Sequence, residues 1–169
     1  MSANTSPNTP ASPAPDSRAS NVQLPTDQEL VLKVIPMPGD CNANGDIFGG
    51  WVMAQVDLAG SVVPARYAGG RMATVAVNEF VFKQPVRVGD ILSFFSKLTR
   101  IGRTSITVKV EVYAERFGSQ GQYIKVTEAS VTYVAIDEKG QPREVPKHAD
   151  PRHPLAQPPL PVADPSERR

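Results

Sequence analysis

Hydrophobic and polar residues along this chain follow two periods, one typical of a helix and one typical of strands. From Gly50 onward, apolar residues recur mainly at spacings of three and four, which predicts a helix with one face against a core. Pro64 and the glycine pair at 69–70 predict its end. In residues 106–113, apolar and polar side chains alternate, which predicts a strand with one buried face.

Five segments have the character of strands, because they form an apolar run closed by proline or are rich in Val, Ile, Thr, Phe and Tyr. Short connections with glycine separate the later ones, as antiparallel neighbours require. One strand, one helix and four more strands predict an α+β fold in which the only long helix packs across an antiparallel sheet. The predicted strands are Glu29–Ile35, Ala73–Phe82, Ile91–Ile101, Thr104–Arg116 and Tyr123–Ile136.

The two ends of the chain differ from its middle in composition. Residues 1–26 contain five prolines, residues 147–169 contain six, and neither stretch has an aromatic residue. Such segments bury too little apolar area to offset the entropy lost on ordering, so we expect two disordered tails. Residues 27–146 are predicted to form one domain.

Charge and targeting signals argue against several classes of partner. Residues 27–146 carry 13 Lys and Arg against 13 Asp and Glu, so no global field attracts nucleic acid. No apolar run is long enough for a membrane span, and the start lacks the pattern of a signal peptide. With a single cysteine, Cys41, these observations lead us to expect a cytoplasmic protein that binds neither nucleic acid nor membrane.

The segment 42–51, with the sequence NANGDIFGGW, carries the strongest chemical signal because it places Asp46 just before the glycine pair that opens the predicted helix. The first turn of a helix leaves amides without partners, and the helix dipole adds positive charge there. The amides of Gly49 and Gly50 therefore suit a developing oxyanion. Asp46 suits activation of water or direct attack on a carbonyl. The segment predicts acyl hydrolysis.

The same residues also have ordinary structural interpretations. Asp46 could cap the helix, and the glycines could allow close packing. Asn42 and Asn44 could orient water or the substrate, or they could form a turn. The sequence leaves these alternatives open.

Histidine is absent from residues 27–146, since His148 and His153 both lie in the C-terminal tail. Without histidine, a Ser-His-Asp set and a histidine-activated thiol at Cys41 are excluded from the predicted domain. We also expect no metal site, because a zinc site of His and Cys ligands needs residues that this domain lacks.

The predicted hairpin between Ile91 and Val110 has no acidic residue, which makes it a basic patch on a neutral domain. Arginine forks, hydroxyls and turn amides are suitable partners for phosphate groups. The alternative is an ordinary solvated face. The basic residues are Lys97, Arg100, Arg103 and Lys109.

Four motifs, taken together and in this order, resemble the hotdog-fold acyl-coenzyme A thioesterases, in the branch similar to YciA and brain acyl-CoA hydrolase. The resemblance covers nearly all of residues 27–146. It implies a five-stranded sheet wrapped around one long central helix, and a homodimer or a trimer of such dimers, with active sites between protomers. The motifs are Pro38–Trp51, Phe82–Asp90, Gly102–Ser105 and Thr127–Ala135.

Carried over to this sequence, the resemblance places the family's catalytic carboxylate at Asp46 and implies that residues 102–105 help to bind coenzyme A. The predicted activity is hydrolysis of acyl-CoA to a free fatty acid and coenzyme A, which is part of the substrate, so we expect no separate cofactor. The predicted catalytic residues are Asp46, Gly49, Gly50 and Asn44. The residues predicted to bind coenzyme A are Arg100, Gly102, Arg103, Thr104, Ser105 and Lys109.

Two alternatives to acyl-CoA hydrolysis stay open at this point. An acyl-carrier-protein thioesterase would use the same chemistry, since the phosphopantetheine arm of that carrier ends like coenzyme A. A non-catalytic acyl-CoA sensor would bind without turnover. Glu128, the other carboxylate inside a motif, is interpreted as an ion-pair partner on its strand.

Overall fold

A computed structural model describes residues 21–146, which form one long helix and five strands in the predicted order. Every predicted strand end agrees with the structure to within one residue. A short 3-10 turn, Pro38–Asp40, was not predicted. The elements are β1 Glu29–Val34, α1 Gly49–Ala68, β2 Met72–Phe82, β3 Ile91–Ile101, β4 Ser105–Glu115 and β5 Tyr123–Ala135.

The strands form one antiparallel sheet in the order β1-β3-β4-β5-β2, and α1 packs across one face of it. The predicted α+β fold is therefore confirmed. Strand β4 shows the predicted alternation, because its helix-facing side chains are fully buried while the polar ones between them lie on the outer face. The helix-facing residues of β4 are Ile106, Val108, Val110 and Val112.

Helix α1 is longer than its proline led us to expect. Pro64 lies inside the helix, where its missing amide forfeits the bond to the carbonyl of residue 60, and the helix continues for another turn. The helix ends at Ala68, where Gly69 adopts the left-handed conformation with φ of 59°. The glycine part of the predicted end is confirmed and the proline part is wrong.

Residues 21–28 cross the outer face of the sheet before β1 begins. The amide of Val22 donates to the carbonyl of Tyr123 at 2.9 Å, and Gln28 Nε2 donates to Glu111 at 3.0 Å. Residues 21–26, which we expected to be part of the N-terminal tail, thus make specific contacts. The other residues of the two tails, 1–20 and 147–169, lie outside the described residues, so their disorder stays a prediction.

Within residues 21–146, no helix has both the length and the hydropathy needed to cross a membrane. The cytoplasmic location stays a prediction.

The middle of α1 approaches the sheet closely at Gly60. A Cβ atom at this position would lie 2.6 Å from Tyr133 Oη and 3.3 Å from Val110 Cγ2. We expect Gly60→Ala to lower the free energy of unfolding by about 1–3 kcal/mol, measured by urea denaturation, because the added methyl group overpacks the core. Gly39→Ala is the control, since a Cβ there meets nothing within 4 Å. Equal stability of the two variants would contradict this account.

Candidate active site

A pocket of about 340 Å³ lies at the N-terminal end of α1. One wall comes from the segment that leads into the helix and the other from the segment that follows β2. Asp46 and Gly49, which the sequence predicted as partners in one site, both line it. The pocket is bounded by Asp46, Ile47, Gly49, Val52, Phe82, Lys83, Gln84, Pro85 and Val86.

Backbone pairing fixes the segment that carries Asp46. The amide of Ile47 donates to the carbonyl of Val86 at 2.9 Å, and Asp46 forms an antiparallel bridge with Arg87. Asn42 Oδ1 accepts hydrogen bonds from the backbone amides of Asn44 at 2.9 Å and Asp46 at 3.3 Å. Asn42 therefore acts as a turn former here, which is the structural alternative left open by the sequence.

The first turn of α1 has no side-chain cap. Phe48 occupies the N-cap position, so Asp46 does not cap the helix. Within residues 21–146, no acceptor is hydrogen-bonded to the amides of Gly49, Gly50 or Trp51, and the first bond of the helix is made by Val52. These amides are the usual unsatisfied donors of a helix start, and of the three residues Gly49 lines the pocket while Gly50 and Trp51 follow it in the same turn.

The two glycines of this turn differ in their surroundings. A Cβ atom at Gly49 would lie 3.2 Å from Cζ of Phe82, so close packing explains this glycine. A Cβ at Gly50 would meet nothing within 4 Å. Packing inside the described protomer therefore does not account for Gly50.

A buried ion pair supports the wall opposite Asp46. The carboxylate of Asp90 is almost fully buried, forms an ion pair with Arg116 and accepts the amide of Arg87 at 2.9 Å. Arg116 also donates to the carbonyl of Pro85 at 2.9 Å. Asp90 stood out in the sequence only as the last residue of the motif Phe82–Asp90, and nothing there identified Arg116, since the contact joins elements distant in sequence.

Asp57 is a carboxylate in the middle of α1 that the sequence analysis did not single out. Its Oδ1 accepts the hydroxyl of Thr74 at 2.7 Å and lies 3.4 Å from Tyr133 Oη. Burial raises the pKa of Tyr133, and the neighbouring Asp57 carboxylate raises it further. Asp57 is the only acidic residue of the helix. That isolation in an apolar helix was a sequence signal that could have identified it.

The hairpin predicted to bind coenzyme A lies away from the pocket of its own protomer. The carbonyl of Arg103 accepts the amide of Val145, and Arg143 in the same segment donates to the carbonyl of Ala68. The hairpin is thus at the C-terminal end of α1, and a 20-residue helix is about 30 Å long. One protomer does not bring the predicted catalytic residues and residues 102–105 together.

The side chains of the basic patch have different partners. Arg100 is exposed, and no carboxylate within residues 21–146 forms an ion pair with it. Arg103 is also exposed, and its Nη1 lies 3.6 Å from Glu144. Lys97 pairs with Asp27 at 2.6 Å. The two arginines nearest the turn are therefore the most open to a phosphate.

Lys109 belongs to a separate cluster on the outer face of the sheet. Its Nζ lies 2.7 Å from Glu111 and 3.4 Å from Glu128, and these contacts raise its pKa. The same carboxylates bind Lys125, and Glu128 also binds Lys83. The interpretation of Glu128 as an ion-pair partner is confirmed. The charge of Lys109 is balanced by carboxylates of the same chain. A phosphate site needs a cation without such partners, and Lys109 does not meet this expectation.

Burial by itself raises the pKa of Glu111, but hydrogen bonds from Lys109, Lys125 and Tyr113 more than offset this and lower it to about 2. Hydrogen bonds from Lys125 and Lys83 likewise lower the pKa of Glu128 to about 2. Both carboxylates thus stay ionised at pH values well below the ordinary pKa of a glutamate.

Cys41 lies in the segment before Asp46, with its Sγ 3.6 Å from the carbonyl of Gly45. No histidine lies within the described residues. Across the same residues, no three His, Cys, Asp or Glu side chains are grouped so that they could hold a metal ion.

Residues 44–120 match the family described as the thioesterase superfamily. The chain is 45% identical over 120 residues to the acyl-CoA thioester hydrolase YciA of Salmonella typhimurium, an alignment that covers 70% of this chain and 90% of that protein. It is 43% identical to YciA of Escherichia coli over 120 residues, covering 70% and 91% of the two chains.

Solved structures agree with this relationship. The hexameric thioesterase y2039 from Yersinia pestis matches with a TM-score of 0.68 and 45% identity, covering 73% of this chain and 98% of that one. Cj0915, a hexameric hotdog fold thioesterase of Campylobacter jejuni, matches with a TM-score of 0.71 and 39% identity, covering 76% and 98%. The fold and the site thus define a hotdog thioesterase. The chain belongs to the thioesterase superfamily and is similar to its YciA proteins, which confirms the resemblance seen in the sequence.

The low pKa of Glu111 leads to a prediction about acid stability. A carboxylate whose pKa is lowered on folding stabilises the protein above its unfolded pKa, and the stabilisation is lost as pH falls towards the folded value. We expect the free energy of unfolding to decrease between about pH 5 and pH 2, and Glu111→Gln to flatten this decrease. Urea denaturation at several pH values measures both.

Glu138→Gln is the control for this series, because Glu138 is almost fully exposed. If the Glu111 and Glu138 variants follow the same pH dependence as the original chain, the cluster does not contribute to acid stability.

Proposed function

We propose that the chain is an acyl-CoA hydrolase that releases a free fatty acid and coenzyme A. The observation that carries this proposal is the uncapped first turn of α1, whose free amides lie beside Asp46 in a pocket with apolar walls. Such amides stabilise the negative charge that develops on a thioester carbonyl oxygen during hydrolysis. Its relatives are named acyl-CoA thioester hydrolases, and coenzyme A is part of the substrate.

The assembly that we propose is a dimer that pairs β2 with β2 of a second copy. Within the described sheet, β2 is an 11-residue edge strand, and several of its apolar side chains are exposed. Exposed edges of this kind pair readily with another strand. Trimerisation of such dimers would give a hexamer, the assembly named for the y2039 and Cj0915 structures. The exposed apolar residues are Val75, Val77, Val81 and Phe82.

Antiparallel pairing around a two-fold axis places opposite ends of the two β2 strands side by side, with both helices on the same face. The Phe82 end of β2 lines the pocket of its own protomer. The Met72 end lies by Asp57, through the Thr74 hydroxyl. The Met72 end also lies by the hairpin, because Ala135 pairs with Met72 and its backbone amide donates a hydrogen bond to the carbonyl of Thr104. The axis therefore brings the pocket of one protomer towards Asp57 and the hairpin of the other.

In this arrangement the thioester carbonyl oxygen accepts hydrogen bonds from the backbone amides of Gly49 and Gly50, and a carboxylate activates the attacking water. Collapse of the oxyanion then breaks the carbon–sulfur bond, and the proton taken from water returns to the thiolate. A carboxylate that attacks directly would instead form an anhydride, which water then cleaves. Asn44, whose side chain is exposed near the pocket segment, stays a predicted orienting group.

Two carboxylates are candidates for the base. Asp46, predicted from the sequence, lines the pocket, and within residues 21–146 its side chain accepts no hydrogen bond. The carboxylate of Asp57 of the partner protomer is held by the Thr74 hydroxyl at 2.7 Å, and Tyr133 fixes the same residue by donating to its backbone carbonyl at 2.8 Å. Because a base works best when it is fixed in advance, we propose Asp57 as the base and Asp46 as a second carboxylate beside the thioester.

The roles of the two carboxylates are tested by thiol release from acyl-CoA with Asp46→Asn and Asp57→Asn. We expect Asp57→Asn to lower kcat by at least about 100-fold while acyl-CoA still binds, and Asp46→Asn to have a smaller effect. The reverse order would assign the base to Asp46. Binding of acyl-CoA without turnover by the unmodified chain would reject the hydrolase and support a sensor.

The hairpin is proposed to bind the phosphates of coenzyme A through Arg100, Arg103 and the turn at residues 102–105. We expect Arg103→Glu to raise KM for acyl-CoA about tenfold or more, because it places a negative charge beside the phosphates. KM for acyl-pantetheine, which lacks the nucleotide, should not change. If KM for acyl-CoA is also unchanged, the acyl-carrier-protein alternative is favoured.

A further inference from the structure

Residues 142–146 form a short segment, here called the buttress, that lies between the end of α1 and the tip of the β3-β4 hairpin. Pro142 bridges to Ile136, and the amide of Arg143 donates to the carbonyl of Ala135 at 2.8 Å. The amide of Val145 then donates to the carbonyl of Arg103 at 2.9 Å. Since the Val145 side chain is buried in the core, the buttress is a fixed support for the hairpin.

The guanidinium of Arg143 ties the buttress to two other elements. It donates to the carbonyl of Ala68 at 2.7 Å, which satisfies an acceptor at the helix end, and to the carbonyl of Ile136 at 3.0 Å. A Cβ atom at Gly70 would lie 2.9 Å from Arg143 Nη2, so glycine there leaves room for the guanidinium. An arginine fork supplies several donors in fixed directions, which a lysine does not.

We propose that Arg143 is a positioning residue for the hairpin that binds the nucleotide end of acyl-CoA. This inference rests on the proposed role of residues 102–105. Arg143 fixes the buttress, and the buttress holds the Arg103 backbone through Val145 and approaches the Arg103 side chain through Glu144 at 3.6 Å. The effect of Arg143 on substrate binding therefore passes through Arg103.

The test compares two substrates in the full chain. We expect Arg143→Lys to raise KM about tenfold for acyl-CoA, with kcat unchanged, and to leave both constants unchanged for acyl-pantetheine. A residue that only supports the fold would change the constants of both substrates alike, or would leave KM unchanged for both, and either result would overturn the inference.

Arg71→Lys is the matched control. Arg71 also donates to backbone carbonyls near the end of β5, those of Asp137 at 3.3 Å and Glu138 at 3.0 Å. Its side chain makes no hydrogen bond to the buttress within the described residues. We expect this variant to keep the original KM for acyl-CoA, and a rise equal to that of Arg143→Lys would count against the inference.

A double-mutant cycle separates this inference from the proposed role of the hairpin. In an Arg103→Ala background, Arg143→Lys should cause no further rise in KM. If Arg103→Ala alone leaves KM for acyl-CoA unchanged, the proposed role of the hairpin fails. If Arg103→Ala raises KM and Arg143→Lys does not, only the inference about Arg143 fails. Should Arg143→Lys not fold, Arg143→Gln removes the guanidinium that donates to Ala68 and Ile136, and an unchanged KM in that folded variant would overturn the inference.

Discussion

The structure depends on the burial of one helix against the middle of an antiparallel sheet. Helix α1 packs its small and apolar face on β3, β4 and β5, and Gly60 allows an approach that a side chain would prevent. This packing sets the direction of the helix, so its uncapped start is at one end of the sheet and its last carbonyls are at the other. The first end holds the pocket and the second holds Arg143 and the hairpin.

The length of the helix has a consequence for function. Within one protomer, about 30 Å of helix separates the free amides beside Asp46 from the exposed arginines of the hairpin. The proposed two-fold axis at the edge strand β2 would reverse one copy relative to the other and bring unlike ends together. The proposed active site therefore needs two protomers, and the apolar side chains exposed on β2 are consistent with that need.

Electrostatic contacts divide the basic residues of β3 and β4 into two groups. Lys109 lies in a half-buried cluster with Glu111 and Glu128, where its charge stabilises the sheet. Arg100 and Arg103 lie at the exposed tip of the hairpin, where their charges are open to a ligand. Both groups are basic residues on neighbouring strands, with no carboxylate close by in the sequence except Glu111. The sequence therefore could not show which of them pair with carboxylates and which stay open to a ligand.

Features that depend on local pattern could be predicted from the residues alone: the strands from their period and composition, the start of α1 from its glycine pair, and the Asp46 segment from its position beside that start. Short-range sterics and backbone hydrogen bonding set these features. Pro64 shows the limit, because packing against the sheet offset the cost of a proline inside a helix.

Which distant residues meet depends on how the helix and the sheet pack together. Asp57 is held by hydroxyls from β2 and β5, Asp90 is paired with Arg116, and Arg143 reaches the end of α1. These contacts join residues that are many positions apart in the sequence, and no local propensity encodes them. They exist because burying the helix on the sheet places these polar groups near the core, where a group without a partner costs free energy.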